Sequence, residues 1–171
     1  MNSNKIKYFL DVFHKFNFSD NTIKTFKNVI VKNINFFEDK SILDIDFFSN
    51  EMISEVKVNY LKKEFKEKLF FLKEININIE YDILETSLEN KIKSCWNNIL
   101  YNIEQKSKIC FIIIRNAKWH IEENKLKIKL DSNSIFLCEK MDISKLIKDY
   151  FFKNLKQNII IEFESTRTNV E

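Results

Sequence analysis

The sequence predicts an α+β fold of two small modules, each running helix, β-hairpin, helix, strand around a three-stranded sheet. Three observations carry this. Apolar residues alternate strictly in short runs (Leu43, Ile45, Phe47; Ile75, Ile77, Ile79; Leu126, Ile128, Leu130), the period of strands with one wet face. Between those runs, apolar residues recur every three or four positions, the period of helices packed along one side. The order of elements then repeats, with hairpin turns near Asp39 and Glu123 and closing strands from Ile75 and Asn158 at nearly the same offset.

Taken in order, Ile6, Phe9, Leu10, Phe13 and Phe16 share a helical face and predict a first helix over 4–16. Ser19-Asp20-Asn21 supplies an N-cap for a short helical turn carrying Ile23 and Phe26. Val29 to Phe37, rich in β-branched and aromatic residues, reads as a strand, and Ile42 to Phe48 returns as its hairpin partner. Ser49-Asn50 caps a helix from Glu51 to Phe70 with Ile53, Val56, Tyr60, Leu61, Phe65 and Leu69 inward, and Ile75 to Tyr81 closes the module as a strand.

The second half begins with a long helix marked by Leu84, Leu88, Ile92, Trp96, Ile99, Leu100 and Ile103. The apolar run Ile109–Ile114 is too short for its periodicity to separate helix from strand. Trp119 and Ile121 begin a strand, Glu122-Glu123-Asn124 turns it, and Lys125 to Leu130 returns. Ser132-Asn133-Ser134 caps the next helical region; Ile143, Ile147, Tyr150, Phe151 and Leu155 line one more helix, and Ile159, Ile161 and Phe163 end in a strand. The modules are therefore set at 1–82 and 83–165, joined near Tyr81–Glu85, with 166–171 as a polar, frayed tail.

Composition mainly excludes. The 171 residues contain no glycine and no proline, which removes phosphate-cradling loops, dinucleotide fingerprints and nucleophile elbows. One alanine and two arginines beside an excess of Ile, Lys, Asn and Phe point to an AT-rich coding sequence, so the 17 phenylalanines read as core filler. No run approaches the roughly 18 apolar residues of a membrane span. A net charge of +3 is too small for a dedicated phosphate-binding surface, and the excess falls in the second module.

Three widely spaced cysteines, Cys95, Cys110 and Cys138, read as buried reduced thiols of a cytoplasmic protein. His14 and His120 have no nucleophile or carboxylate at motif spacing. Asp44 and Asp46 belong to the wet face of a hairpin. No catalytic, cofactor or metal site is expected. One charged feature is sharper: Lys125, Lys127 and Lys129 project from one face of a strand, a basic stripe suited to an acidic partner or a phosphate backbone. Trp96 sits among Ile92, Ile99 and Leu100 and reads as core.

The run Phe13-His14-Lys15-Phe16-Asn17-Phe18-Ser19-Asp20-Asn21-Thr22, the hairpin Asn28–Phe48 and the helix-strand Met52–Tyr81 resemble the extreme N-terminus of PolC-type DNA polymerase III α subunits. So do Cys95-Trp96-Asn97-Asn98-Ile99-Leu100, Asn124-Lys125-Leu126-Lys127-Ile128-Lys129 and the helix ending at Asn154-Leu155. The resemblance implies two small α+β domains, the second KH-like and similar to the α-binding domain of the clamp-loader tau subunit. It implies a non-catalytic interaction module docking replisome proteins, the tau subunit among them. The parent polymerase and its 3'-5' exonuclease would lie in segments these residues do not contain. RNA-binding KH domains use a GxxG loop. This glycine-free chain has none, so the KH-like shape is expected to serve protein contact. The alternative is a single-stranded nucleic-acid binder using the lysine stripe with nearby aromatics.

Overall fold

A computed structural model describes residues 6–83 and 87–166, and the chain divides into two compact units between residues 84 and 85. Each is an α+β module with a three-stranded mixed sheet.

The first unit runs α1 (Phe9–Phe13), α2 (Asp20–Phe26), β1 (Ile30–Phe37), a 3-10 turn (Glu38–Lys40), β2 (Ile42–Ser49), α3 (Glu55–Lys68) and β3 (Glu74–Tyr81). β2 is central, antiparallel to β1 from Ile30↔Phe48 to Phe37↔Ile42 and parallel to β3. The alternation read from sequence sorts the two faces: Leu43, Ile45 and Phe47 are buried with Ile75, Ile77 and Ile79, while Asp44, Asp46, Asn76 and Asn78 share the open side. The core is phenylalanine-built. Phe9 lies within 6.0 Å, ring centre to ring centre, of Phe13, Phe18, Phe26 and Phe47.

The second unit runs α4 (Leu88–Lys106), α5 (Lys108–Asn116), β4 (Lys118–Glu122), β5 (Lys125–Leu130), α6 (Ser132–Lys140), α7 (Ile143–Leu155) and β6 (Ile160–Ser165). β5 is central, antiparallel to β4 and parallel to β6. Leu126, Ile128 and Leu130 face a core of helix residues such as Ile92, Ile99, Ile147 and Phe151. Trp96 is half-buried, with its ring 5.4 Å from that of Trp119.

Several expectations are corrected. The first helix spans Phe9–Phe13, not 4–16: Phe9 N–H bonds Val29 O, Val31 N–H bonds Lys7 O, and Tyr8 bridges Ile30, so this segment runs extended beside the start of β1. Residues 4 and 5 lie outside the described residues. The long helix of the first unit begins at Glu55 with Ser54 as N-cap. Ser49 instead turns the chain locally, its hydroxyl accepting from Glu51 N–H. With the start moved, Val56 and Tyr60 face solvent and Val58 goes inward.

The Ile109–Ile114 run belongs to a helix, α5, with Cys110 and Ile114 inward and Ile109 and Ile112 exposed. Asp131, one residue before the expected serine-asparagine cap, accepts from Asn133 and Ser134 N–H at 3.0 Å and from the Ser134 hydroxyl at 2.7 Å. These bonds hold its carboxyl below the usual range, the Ser134 side chain contributing most. Leu84 and 167–171 fall outside the described residues, and no described helix is long and apolar enough to cross a membrane. Without glycine, the left-handed backbone positions among the described residues go to Ser41, Glu123, Asp142 and Lys156, at φ of 51–54°.

Candidate functional site

The lysine stripe is where sequence and structure meet most directly. β5 places Lys125, Lys127 and Lys129 on the face opposite Leu126, Ile128 and Leu130, as its period of two requires. The antiparallel neighbour β4 adds Lys118, His120 and Glu122, and the parallel neighbour β6 adds Glu162 and Glu164. The glutamates change the character of the stripe. Lys125 Nζ lies 2.8 Å from Glu162 and Lys127 Nζ lies 3.2 Å from Glu164, while Lys127 also pairs with Glu122. The Glu122 carboxyl is held below its usual range by the Lys127 hydrogen bond and charge, and Glu122 and Glu164 hold the Lys127 ammonium above its own.

The face is thus a lattice of alternating charge, which satisfies itself at short range. Among the described residues, Lys118 and Lys129, opposite each other in the register, have no ion pair. The aromatics are elsewhere: Trp119 and Phe163 flank Ile128 and lie on the other side of the sheet. Reversing Lys125, Lys127 and Lys129 to Glu would set new carboxylates against Glu122, Glu162 and Glu164. That variant is therefore expected to melt measurably earlier than the parent by circular dichroism, and the loss should shrink in high salt. The Glu122 contribution follows its lowered carboxyl: present above the unfolded carboxylate range, and lost as pH falls through the folded value.

One group of metal-ligating side chains converges on this face. His120, Glu122 and Glu164 each offer an atom within 4.8 Å of the others. The ammonium of Lys127 pairs with both carboxylates, so the two glutamates of this group already have a cationic partner from the chain itself. Other polar residues serve the fold locally. His14 Nδ1 lies 3.2 Å from Asp11 O at the end of α1. Asp44 and Asp46 accept from Asn76 and Asn78 amides at 3.0 Å across the wet face of the first sheet.

The three cysteines are buried and free. Burial pushes the Cys95 thiol up to about 12, and burial together with neighbouring Cys110 pushes Cys138 up to about 12. Thiolate is the reactive form. With Cys110 shielded by burial as well, a disulfide reagent at neutral pH is expected to label almost none of them in the folded protein and all 3 in denaturant.

A second feature had no sequence signal. In the first unit, α2 and the segment from Ser49 to Ser54 enclose a groove of about 790 Å³ carrying Lys24, Lys27 and Lys57. Those lysines are separated in the chain by a whole hairpin, and the first module is neutral as a sum, so neither spacing nor net charge marks them. Only the fold gathers them.

No protein-family model matches the chain, and no curated protein matches it in sequence. Among solved structures, one similar chain is described as the structure of the PrgH periplasmic domain; it is 9% identical, with a TM-score of 0.25. The alignment covers 80% of this chain and 60% of that one, and at this TM-score the likeness carries no inference.

Proposed function

We propose that the chain is a non-catalytic, cytoplasmic interaction module from the N-terminus of a PolC-type DNA polymerase III α subunit, docking replisome proteins such as the clamp-loader tau subunit. The observation that carries the reading is the order of elements: helices, a hairpin, one helix in the first unit or two in the second, and a strand, in the order of the resembling segments. In the second unit the hairpin is followed by two helices and a parallel strand, which suits the KH-like shape the resemblance implies. Its wet face is laced with its own glutamates and holds no tryptophan, tyrosine or phenylalanine on β4, β5 or β6, which favours protein contact over base stacking.

The test is a pair of titrations of the whole chain at physiological salt, one with the tau subunit and one with labelled oligothymidylate. Saturable binding to tau without tight oligonucleotide binding is the expected result. Tight, salt-sensitive oligonucleotide binding with no affinity for tau would overturn the reading. No DNA synthesis or exonuclease turnover is expected from these residues; turnover abolished by a single Asp or His substitution would also overturn it.

A further inference from the structure

The groove of the first unit combines three properties. It is concave, it carries three lysines against one acid, and Val29, Met52 and Ile53 give it an apolar portion. Lys24 and Lys27 reach it from α2 and its C-terminal cap, and Lys57 from the first turn of α3. All three are exposed, and among the described residues none has an ion pair, in contrast to Lys125 and Lys127 in the second unit. Glu51 is the one acid on the lining.

Lys24 and Lys27 have a local explanation, since cations suit the C-terminal end of a helix. Lys57 does not. It stands three residues after the N-cap Ser54, where the helix dipole is positive and a carboxylate is favoured, and Ser54 makes no side-chain cap bond. Glu55 is the first-turn acid of α3 and does not line the groove. The groove therefore gathers positive potential from three lysines and the N-terminal end of α3, against which stand Glu51 and the C-terminal end of α2.

The apolar part of the lining is Val29 and Ile53, both buried, and half-buried Met52. No aromatic side chain lines the groove, so bases of a nucleic acid would find no stacking surface. The volume falls in the range of ligand-binding clefts, roughly 300–1,000 Å³. We infer that this groove binds an extended, acidic segment of a partner protein, whose carboxylates meet Lys24, Lys27 and Lys57 while an apolar side chain packs on Met52. The assignment rests on the groove alone and stands or falls apart from the polymerase reading.

The experiment is fluorescence anisotropy of a labelled peptide of alternating Asp and Leu titrated with the full chain. Saturable binding at low salt, weakening as salt rises, is the expected result. Reversing Lys24, Lys27 and Lys57 to Glu should weaken it roughly tenfold or more. The same reversal at Lys118 and Lys129 should leave it within about twofold, since neither lines the groove. Lys57→Glu alone guards against misfolding: it suits the dipole of α3, so it should hold or raise the melting temperature while weakening the peptide several-fold. Absence of binding at low salt, or binding indifferent to these reversals, would overturn the inference. So would oligothymidylate binding that the reversals abolish in a protein that ignores the peptide.

Discussion

Phe9→Ala is expected to destabilise the first unit by about 3–5 kcal/mol, the cost of removing a buried aromatic side chain and leaving its cavity. Phe9 is 0% exposed, and its ring contacts Phe13, Phe18, Phe26 and Phe47, so no single neighbour can move in to fill the space. For a unit of this size that corresponds to a fall in melting temperature of more than about 10 °C. The protein supplies its own means of locating the damage, because Trp96 and Trp119 both belong to the second unit. Circular dichroism should show the early transition, and tryptophan emission tells whether the second unit melts with it. Phe70→Ala is the control: Phe70 is 85% exposed, and its loss should stay within about 0.5 kcal/mol. Equal melting of the two variants would contradict the packing described.

Glu64→Ala is expected to be the most damaging change of a charged residue, at about 2–4 kcal/mol. Glu64 is only 7% exposed and is reached by groups more than forty positions earlier in the chain. The Ser19 N–H donates to its Oε1 at 2.8 Å, and the Thr22 hydroxyl donates to its Oε2. Ser19 also caps α2, its hydroxyl accepting from Thr22 N–H at 3.4 Å. One carboxylate thus ties the N-terminus of α2 to α3. Glu64→Gln keeps one good acceptor and should lose less than the alanine variant. Thr22→Val combined with Glu64→Ala should cost less than the two changes added, because they share a bond. Urea unfolding with an unchanged slope is the measurement, and strict additivity would show that the two groups act separately.

The strands were legible because their pattern has no competitor. A period of two with Asp, Asn and Lys between apolar residues suits only a half-buried strand, and Ile75–Tyr81 and Lys125–Leu130 fall within the strands found. Helix starts were less legible. Ser49 and Ser54 are both plausible caps, and only the tertiary fold commits the first to a local turn and the second to α3. The first helix was overextended because Ile6 and Leu10 fit the apolar period yet lie on the surface, while the backbone there pairs with β1. α5 was ambiguous because isoleucines occupy its outer side as well as its inner one.

Of the site, the stripe was placed correctly on one face. Of its neutralising glutamates, Glu122 on the hairpin partner was readable from the sequence; Glu162 and Glu164 were not foreseen, because they come from a strand more than thirty residues downstream. The lysine groove was invisible for the same reason: what joins its residues is folding, not spacing.

The four left-handed positions at Ser41, Glu123, Asp142 and Lys156 bear on the unfolded chain as well as the folded one. A residue with a Cβ gives up roughly 1–2 kcal/mol in that conformation, which glycine would recover. Glycine would also widen the range of conformations open to the denatured chain, which opposes folding by roughly 0.4–1 kcal/mol per site. The second effect offsets about half of the first. Elsewhere, a backbone with no glycine at all is stiffer before it folds, and so surrenders less freedom when it does. Strain confined to a few peptide units stands against a less permissive denatured ensemble along the whole chain. A chain can therefore do without its most flexible residue and keep a native fold.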